Sequence, residues 1–538
     1  MDACLSVGCE ENHAMKVTIK SIPDEVLLQI FGYLPSKWDV YSVRLVCRFL
    51  AHVGRSALGT TVTFALVPES IARLNEISLH PFFSQHISAI TCVTNVFRPF
   101  GNINDWKDVI SLTVKHPTNV DVRIWLSDEE WMESWGHYNA LLAAQDAAFK
   151  SLERSQGMEI VCSRFTKLQN LKICHYTRGT PPPYHLHSNR SYRFLSKTHC
   201  DLRDYFTLPA YELGIFPPRI AVPSVYILGP ILRNTSETQL RSLRVDALGI
   251  EVFDKETEIF GESDVYSQMM RIGPNLSVLD LCIYVKYDRE GWQGFRPATR
   301  ILANNRAKSF LCAASHLEDM KLKFFSVFHD RGYPFYAEIA DFWPTEHTWP
   351  RLRKLRLTNV EMVTFVFMEF LSAHIETLKD LGLKNCLMLD SPQFRRNGRR
   401  CVWSDFFIPL VTTFPLATLS LRGRFKLIKP PGRGLDENPN LFSNPPTIYA
   451  HDVVEGVKVQ DRELTVGRTI EMMVCSGEFN SFLEHEVGGD IDLAVKIKQE
   501  IIQDLMDYYV LDREGQLSVT IATRHADYLK SFASAGSC

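Results

Sequence analysis

Between residues 21 and 53 apolar positions fall at helical spacing, and polar or proline positions punctuate them. Ser21 to Pro35 predicts a first helix, with Ser21 as cap, Pro23 in the opening turn, Asp24 completing a capping-box-like pair and Pro35 as the stop. Ser36 and Asp39 repeat the capping spacing for a second turn of helix. The run Val43–Val53 predicts a third, with Leu45, Val46, Phe49, Leu50 and Val53 as its apolar positions. On the first helix, Val26, Leu27, Leu28, Ile30, Phe31, Tyr33 and Leu34 cover roughly 220° of the circumference, against the about 100° stripe of an ordinary surface helix. A module of about 35 residues is also too small to be stable alone. Its surplus apolar surface therefore faces a partner or the rest of the same chain.

Beyond residue 60 the pattern changes to Leu-x-x-Leu-x-(Leu/Ile/Val). It occurs at Leu168-Leu171-Ile173, Leu240-Leu243-Val245, Leu276-Leu279-Leu281, Leu352-Leu355-Leu357, Leu378-Leu381-Leu383 and Leu416-Leu419-Leu421. Leu317-Met320-Leu322 is a seventh copy with one substitution, and Ile87-Ile90-Cys92 reads as a degenerate eighth. Alternate leucines put apolar side chains on one face of a short strand, and the segment that follows should return as a helix over that face. In the clearest unit Leu352–Val360 reads as strand and Met362, Phe365, Val366, Met368, Phe370 and Leu371 as helix up to His374. Leu378–Leu383 then opens the next strand. The gap from 168 to 240 is long enough to hold one further, unseen copy. Pro- and Gly-rich stretches at 178–200 and 428–447 read as loops, the second as a domain edge. Asp490–Tyr509 carries Ile491, Leu493, Ala494, Ile497, Ile501, Ile502 and Leu505 at helical spacing, which predicts one amphipathic helix.

The first stretch resembles the F-box, the module through which substrate receptors of SCF-type ubiquitin ligases dock on their adaptor. Ile22-Pro23-Asp24-Glu25-Val26-Leu27-Leu28-Gln29-Ile30-Phe31-Gly32-Tyr33-Leu34 and Val43-Arg44-Leu45-Val46-Cys47-Arg48 carry the likeness. Ile22 stands where leucine is usual, and Leu50 where an aromatic residue is common. The resemblance implies that Ile22, Pro23, Ile30, Phe31, Leu34, Val43, Val46 and Cys47 contact the adaptor, with Glu25 at the family's acidic position. The second pattern resembles leucine-rich repeats, although its intervals of about 36, 41, 35, 26 and 38 residues exceed the regular 20–29. Asn385-Cys386, after Leu-x-Leu, resembles that family's turn-bonding Asn/Cys position, read in one copy alone.

Composition narrows the chemistry. The chain has 538 residues, 45% hydrophobic and 22% charged, which is ordinary for a globular protein and enough for a sizeable core. With 59 basic and 62 acidic residues the net charge is −3, so no global positive field points to nucleic acid or a membrane surface. The 13 cysteines are scattered and odd in number, without CxxC spacing, and read as reduced thiols. No secretory or membrane-spanning segment is evident, so a cytoplasmic or nuclear location is expected. Asn234 and Asn275 open chance glycosylation patterns. No phosphate loop, nucleophile elbow, HExxH or kinase set occurs, and no catalytic, cofactor-binding or metal-binding residue is expected. His185 and His187 lie in a Pro-rich stretch without a third ligand, and Cys4 and Cys9 read as plain thiols. Trp125, Trp131, Trp135 and Tyr138 beside Asp128, Glu129, Glu130 and Glu133 read as core packing with an acidic face rather than a recognition patch.

These patterns together predict an α/β fold, an N-terminal three-helix F-box followed by an irregular leucine-rich-repeat-like α/β solenoid. The expected segments are a flexible tail at 1–20, the F-box at 21–58, the array at 61–427, a Pro/Gly-rich loop at 428–447 and a C-terminal region at 448–538. The expected role is non-catalytic, bridging the SCF adaptor, and through it a cullin, to a protein substrate held by the array. The alternative is a scaffold that uses the array for protein binding outside any ligase.

Overall fold

The computed structural model describes residues 19, 22–34, 37–58, 60–96, 100–105, 107, 127–154, 157–174, 208–209, 223–235, 240–254, 265–285, 296–326, 336–389, 402–428, 447–449, 453–459, 462–465, 474 and 492–501. Three helices come first, α1 (Asp24–Gly32), α2 (Lys37–Arg44) and α3 (Arg48–Leu58). The strands follow as β1 (Thr61–Ala65), β2 (Ala89–Val93), β3 (Asn95–Val96), β4 (Asn170–Cys174), β5 (Leu208–Pro209), β6 (Ser242–Gly249), β7 (Val278–Val285) and β8 (Asp319–Ser326). They continue as β9 (Ala337–Glu338), β10 (Lys354–Thr358), β11 (Val360–Val363), β12 (Asp380–Leu389), β13 (Thr418–Ile428), β14 (Thr447–Tyr449), β15 (Val453–Val459) and β16 (Arg462–Thr465).

The fold is mixed α/β with a large parallel sheet. In it β1, β2, β4, β6, β7, β8, β10, β12 and β13 lie side by side in chain order, every neighbouring pair parallel. Their register aligns the leucine pattern across strands. Ile90, Leu171, Leu243, Leu279, Met320, Leu355, Leu381 and Leu419 form one row. Two residues on, Cys92, Ile173, Val245, Leu281, Leu322, Leu357, Leu383 and Leu421 form a second. Both rows are buried, as are the leading Ile87, Leu168, Leu240, Leu276, Leu317, Leu352, Leu378 and Leu416. Each such side chain contributes about 1.5–3 kcal/mol by leaving water.

Two expectations change here. Ile87-Ile90-Cys92 is a full member of the rows. No strand from the gap between 168 and 240 enters the large sheet between β4 and β6, because these two pair directly, Leu171 opposite Leu243 and Ile173 opposite Val245. The long intervening segment is an insertion between neighbouring strands.

Helices between the strands bury their apolar sides against these rows in one continuous core, to which Ile227, Ile231, Met269, Phe310, Phe367 and Phe406 contribute. In the clearest unit the strand pattern outruns its expected end. Met362 belongs to β11, after a kink at Asn359 with φ 57, and the helix runs Thr364–Ala373. Asn359 also shows that the Asn position is not confined to one copy. Thr358 pairs with Lys384, which brings Asn359 to the register of Asn385, whose φ is 51. The Asn359 Nδ2 donates to the Phe324 carbonyl of the neighbouring unit at 2.6 Å. Asparagine suits both demands, since it tolerates the left-handed region and carries an amide donor.

Units are also tied by Trp349. Its backbone N–H donates to His374 Nε2 and its indole N–H to the Ala314 carbonyl, both at 3.0 Å, while His374 Nδ1 lies 2.8 Å from the Phe370 carbonyl. On the other side, β14 pairs antiparallel with β13, and Ala494, Ile497 and Ile501 of the helix at 492–501 join the main core. The rest of the predicted C-terminal helix lies outside the described residues.

Candidate functional site

The three N-terminal helices have a core of their own, built from Leu27, Phe31, Val40, Leu50 and Val53 and separate from the core under the sheet. Helix α1 begins at Asp24 with Pro23 as the cap residue and no side-chain cap bond. The expected Ser21 cap lies outside the described residues. Asp24 and Glu25 stand in the first turn, where carboxylates favour the positive end of the helix dipole. A glycine permits the tight crossing of α3 on α2. A Cβ at Gly54 would stand 2.6 Å from Arg44 Cγ and 3.1 Å from the Phe31 ring. Arg44 Nε also donates to the Ala51 carbonyl at 3.2 Å.

The first helix carries two neighbouring apolar stripes. Leu27, Phe31 and Leu34 follow i, i+4, i+7 and face the module's core. Val26, Ile30 and Tyr33 have the same spacing one position earlier and remain exposed, Tyr33 at 88%. This explains the wide apolar arc seen in sequence, since one stripe serves the fold and the other stays open. The predicted third helix is corrected. Instead of one run from Val43 to Val53, α2 ends at Arg44 and α3 starts at Arg48, with turn bonds Leu45 N to Ser42 O and Val46 N to Val43 O, both 3.1 Å. The break projects Leu45 and Val46 into solvent, 88% and 73% exposed. No Gly or Pro marks positions 45–47, so periodicity reads through the break.

The nine positions implied to contact an adaptor divide accordingly. Pro23, Glu25, Ile30 and Val46 are exposed, and Ile22, Leu34, Val43 and Cys47 are half-buried at the rim of the small core. Phe31 is buried inside it at 4% exposure. Leu45 and Tyr33, absent from that set, are the most open apolar side chains among the module's described residues. Among the described residues, seven of the twelve large apolar side chains that stay exposed lie between Ile19 and Val46. Among the described residues, none of these seven belongs to the small core or to the core under the sheet. A concentration of this kind marks an interaction surface.

Residues 19–58 match the F-box-like family model. The match spans α1 to α3 and stops where β1 begins, and it supports an F-box protein. No curated protein matches the chain.

Other candidate chemistry resolves into packing. Trp131 and Tyr138 are buried on the helix Asp128–Arg154, with Tyr138 stacked on Trp135 and against Phe100, and Lys107 over Trp131 while paired with Asp128 at 3.3 Å. His185, His187, Cys4, Cys9 and Trp125 lie outside the described residues. The described cysteines are free thiols, and burial pushes Cys162 and Cys386 up to about 12 and Cys174 and Cys282 up to about 11. Such thiols are neutral and poor nucleophiles at physiological pH. Among the described residues no group of three His, Cys, Asp or Glu is placed to hold a metal, and no helix is long and apolar enough to cross a membrane.

Proposed function

We propose that the chain is the substrate-recognition subunit of an SCF-type ubiquitin ligase. The F-box-like module docks on the adaptor, and through it a cullin, while the sheet region acts as an irregular leucine-rich-repeat-like array that holds a protein substrate. The observation that carries the reading is the open apolar surface, Val26, Ile30, Tyr33, Leu45 and Val46, on a module that matches the F-box-like family. The repeat-like nature of the array is supported by its chain-ordered parallel strands, in-register leucines and recurring Asn359 and Asn385. In this role the subunit contributes proximity. A substrate lysine held near a charged conjugating enzyme reacts at raised effective concentration without a catalytic side chain from this chain. A cytoplasmic or nuclear location follows from the same reading.

The test is co-purification of the full-length chain with adaptor and cullin, comparing wild type with Leu45→Asp and Val46→Asp. Both side chains are exposed, so the substitutions leave the module folded, whereas an unpaired carboxylate at a packed interface costs several kcal/mol. Capture by wild type and loss in both variants is the expected result. No capture by wild type would leave the scaffold reading in its place.

A further inference from the structure

On the strands the residues between the buried leucines point to the opposite face, and from β4 to β13 that face is charged. Among the described residues it carries eight cations against four carboxylates, a surplus of four positive charges in a chain whose net charge is −3. The carboxylates are largely engaged or recessed. Asp280 pairs with Lys321 and Asp380 with Arg356, each at 2.9 Å, with the Asp280 and Asp380 side chains only 23% and 13% exposed. The cations that remain are Lys172, Arg244, Lys323, Lys354, Lys384 and Arg422, all exposed except the half-buried Lys323.

We infer that this outward sheet face binds an extended, Asp- and Glu-rich segment of a partner protein. The inference rests on the reading of the sheet region as the substrate-holding part of the subunit and names the chemistry of what it holds. Register places Lys172 beside Arg244 at one end, and Lys384 beside Arg422 at the other. At about 4.8 Å per strand, the six steps from β4 to β13 span about 29 Å, the length of about nine extended residues. A run of side-chain carboxylates crossing the strands meets cations near both ends, and Lys323 stands in the same register row as Lys384 and Arg422. A single phosphate would need two or three arginines or lysines converging on one point, and here the cations are spread and mostly lysine. A nucleic-acid backbone calls for a strong positive field over the protein, which a chain of net charge −3 does not supply.

Full-length protein is titrated into a labelled Asp/Glu peptide of about twelve residues, its Asn/Gln counterpart, a neutral peptide with one phosphoserine and a single-stranded RNA, with binding read by fluorescence anisotropy. The variants are Lys172→Glu with Arg244→Glu, Lys384→Glu with Arg422→Glu, and Arg73→Glu, on the exposed side of the helix Pro68–Leu79, as a charge-reversal control outside the face. Thermal melts confirm that each is folded. Expected are binding of the acidic peptide, at least about ten-fold weaker binding by its Asn/Gln counterpart and by either charge-reversed face variant, weakening with salt, and no change in Arg73→Glu. Equal affinity for the Asn/Gln peptide, unchanged affinity in both face variants, or tighter binding of the phosphoserine peptide or RNA would overturn the inference. Adaptor capture in the same preparations separates the two readings. Capture without acidic-peptide binding removes this inference alone, whereas acidic-peptide binding without capture keeps the charged face and removes the ligase role.

Discussion

The N-terminal module and the sheet region solve opposite problems with the same residue types. The module closes a core of five buried side chains and leaves a second apolar stripe open. The sheet region buries three leucine-rich rows in register and turns charge outward. An apolar face in water is costly, so the module's exposed stripe makes sense only where something else covers it. The sheet face costs nothing to leave open and can sort partners by charge. Stability and recognition are thus carried by neighbouring apolar stripes in the module, and by opposite faces of the strands in the sheet.

The largest effects should follow loss of a core anchor, and they should differ in reach. Trp349→Ala removes a fully buried ring and the indole bond to Ala314, and is expected to cost about 3–5 kcal/mol, seen as an earlier urea midpoint for the sheet region. Phe31→Asp puts a carboxylate into the small core, and should unfold α1 to α3 while the sheet region keeps its far-ultraviolet signal and midpoint. If Phe31→Asp also lowered the sheet midpoint by several kcal/mol, the two cores would not be independent. Phe31→Asp therefore cannot report on the docking surface, which Leu45 and Val46 can.

A smaller effect tests the register of the array. Asn359→Ala loses the bond to Phe324 and leaves an alanine at φ 57, so about 1–3 kcal/mol is expected, measured by the same urea titration. Asn359→Gly keeps the backbone free of strain and should recover part of that loss. No recovery would show that the amide bond, and not the left-handed backbone, is what the position needs.

Much of this was legible in the sequence. The leucine spacing announced the strands, because period-two alternation and burial on one face are the same fact seen twice. Insertions were not legible. The strands on either side of the gap from 168 to 240 are direct neighbours, and nothing in the gap's composition says that Leu171 lies beside Leu243. In the module the apolar arc of α1 was visible, but the division into inward Leu27, Phe31 and Leu34 and outward Val26, Ile30 and Tyr33 needed α2 and α3 in place. Leu45 escaped for a related reason, since its exposure comes from a helix break without a breaker residue. The charged face was hidden because charges alternating with leucines, spread over 250 residues, form a surface only once the strands align.

Titration gives a subtler probe of the sheet edge. Burial first, then the carboxylates of Glu338 and Asp341, push Glu361 up to about 7 from the usual 4.5. Glu361 pairs in register with Glu338 on β9, so like charges oppose across the strands. Between pH 4.5 and 7 the folded state holds a proton that the unfolded chain has released, and stability falls as pH rises through that window. Glu361→Gln should flatten the fall and leave the variant more stable than wild type at pH 8, by on the order of 1 kcal/mol after solvent screening. Buried His374 works in the opposite sense. Burial lowers it below 6.5, with His347 adding and the Phe370 carbonyl opposing, so stability drops as pH falls below 6.5. Urea titrations at pH 5, 6.5 and 8 separate the two, because Glu361→Gln removes the fall in stability between pH 4.5 and 7 and leaves the His374 loss below pH 6.5 in place.

The smallest expected change in stability is at the residue whose loss should matter most for docking. Leu45→Ala removes a side chain already 88% exposed, and its urea midpoint should stay within about 0.5 kcal/mol of wild type. A buried leucine such as Leu381 loses about 2–5 kcal/mol on the same substitution. A leucine that adds nothing to its own fold, at the tip of a helix break, gains by burial only when a partner covers it. If Leu45→Ala destabilised the isolated chain as much as Leu381→Ala, the side chain would be part of the fold, and the contrast between an open apolar module and a closed apolar sheet would fail at its clearest point.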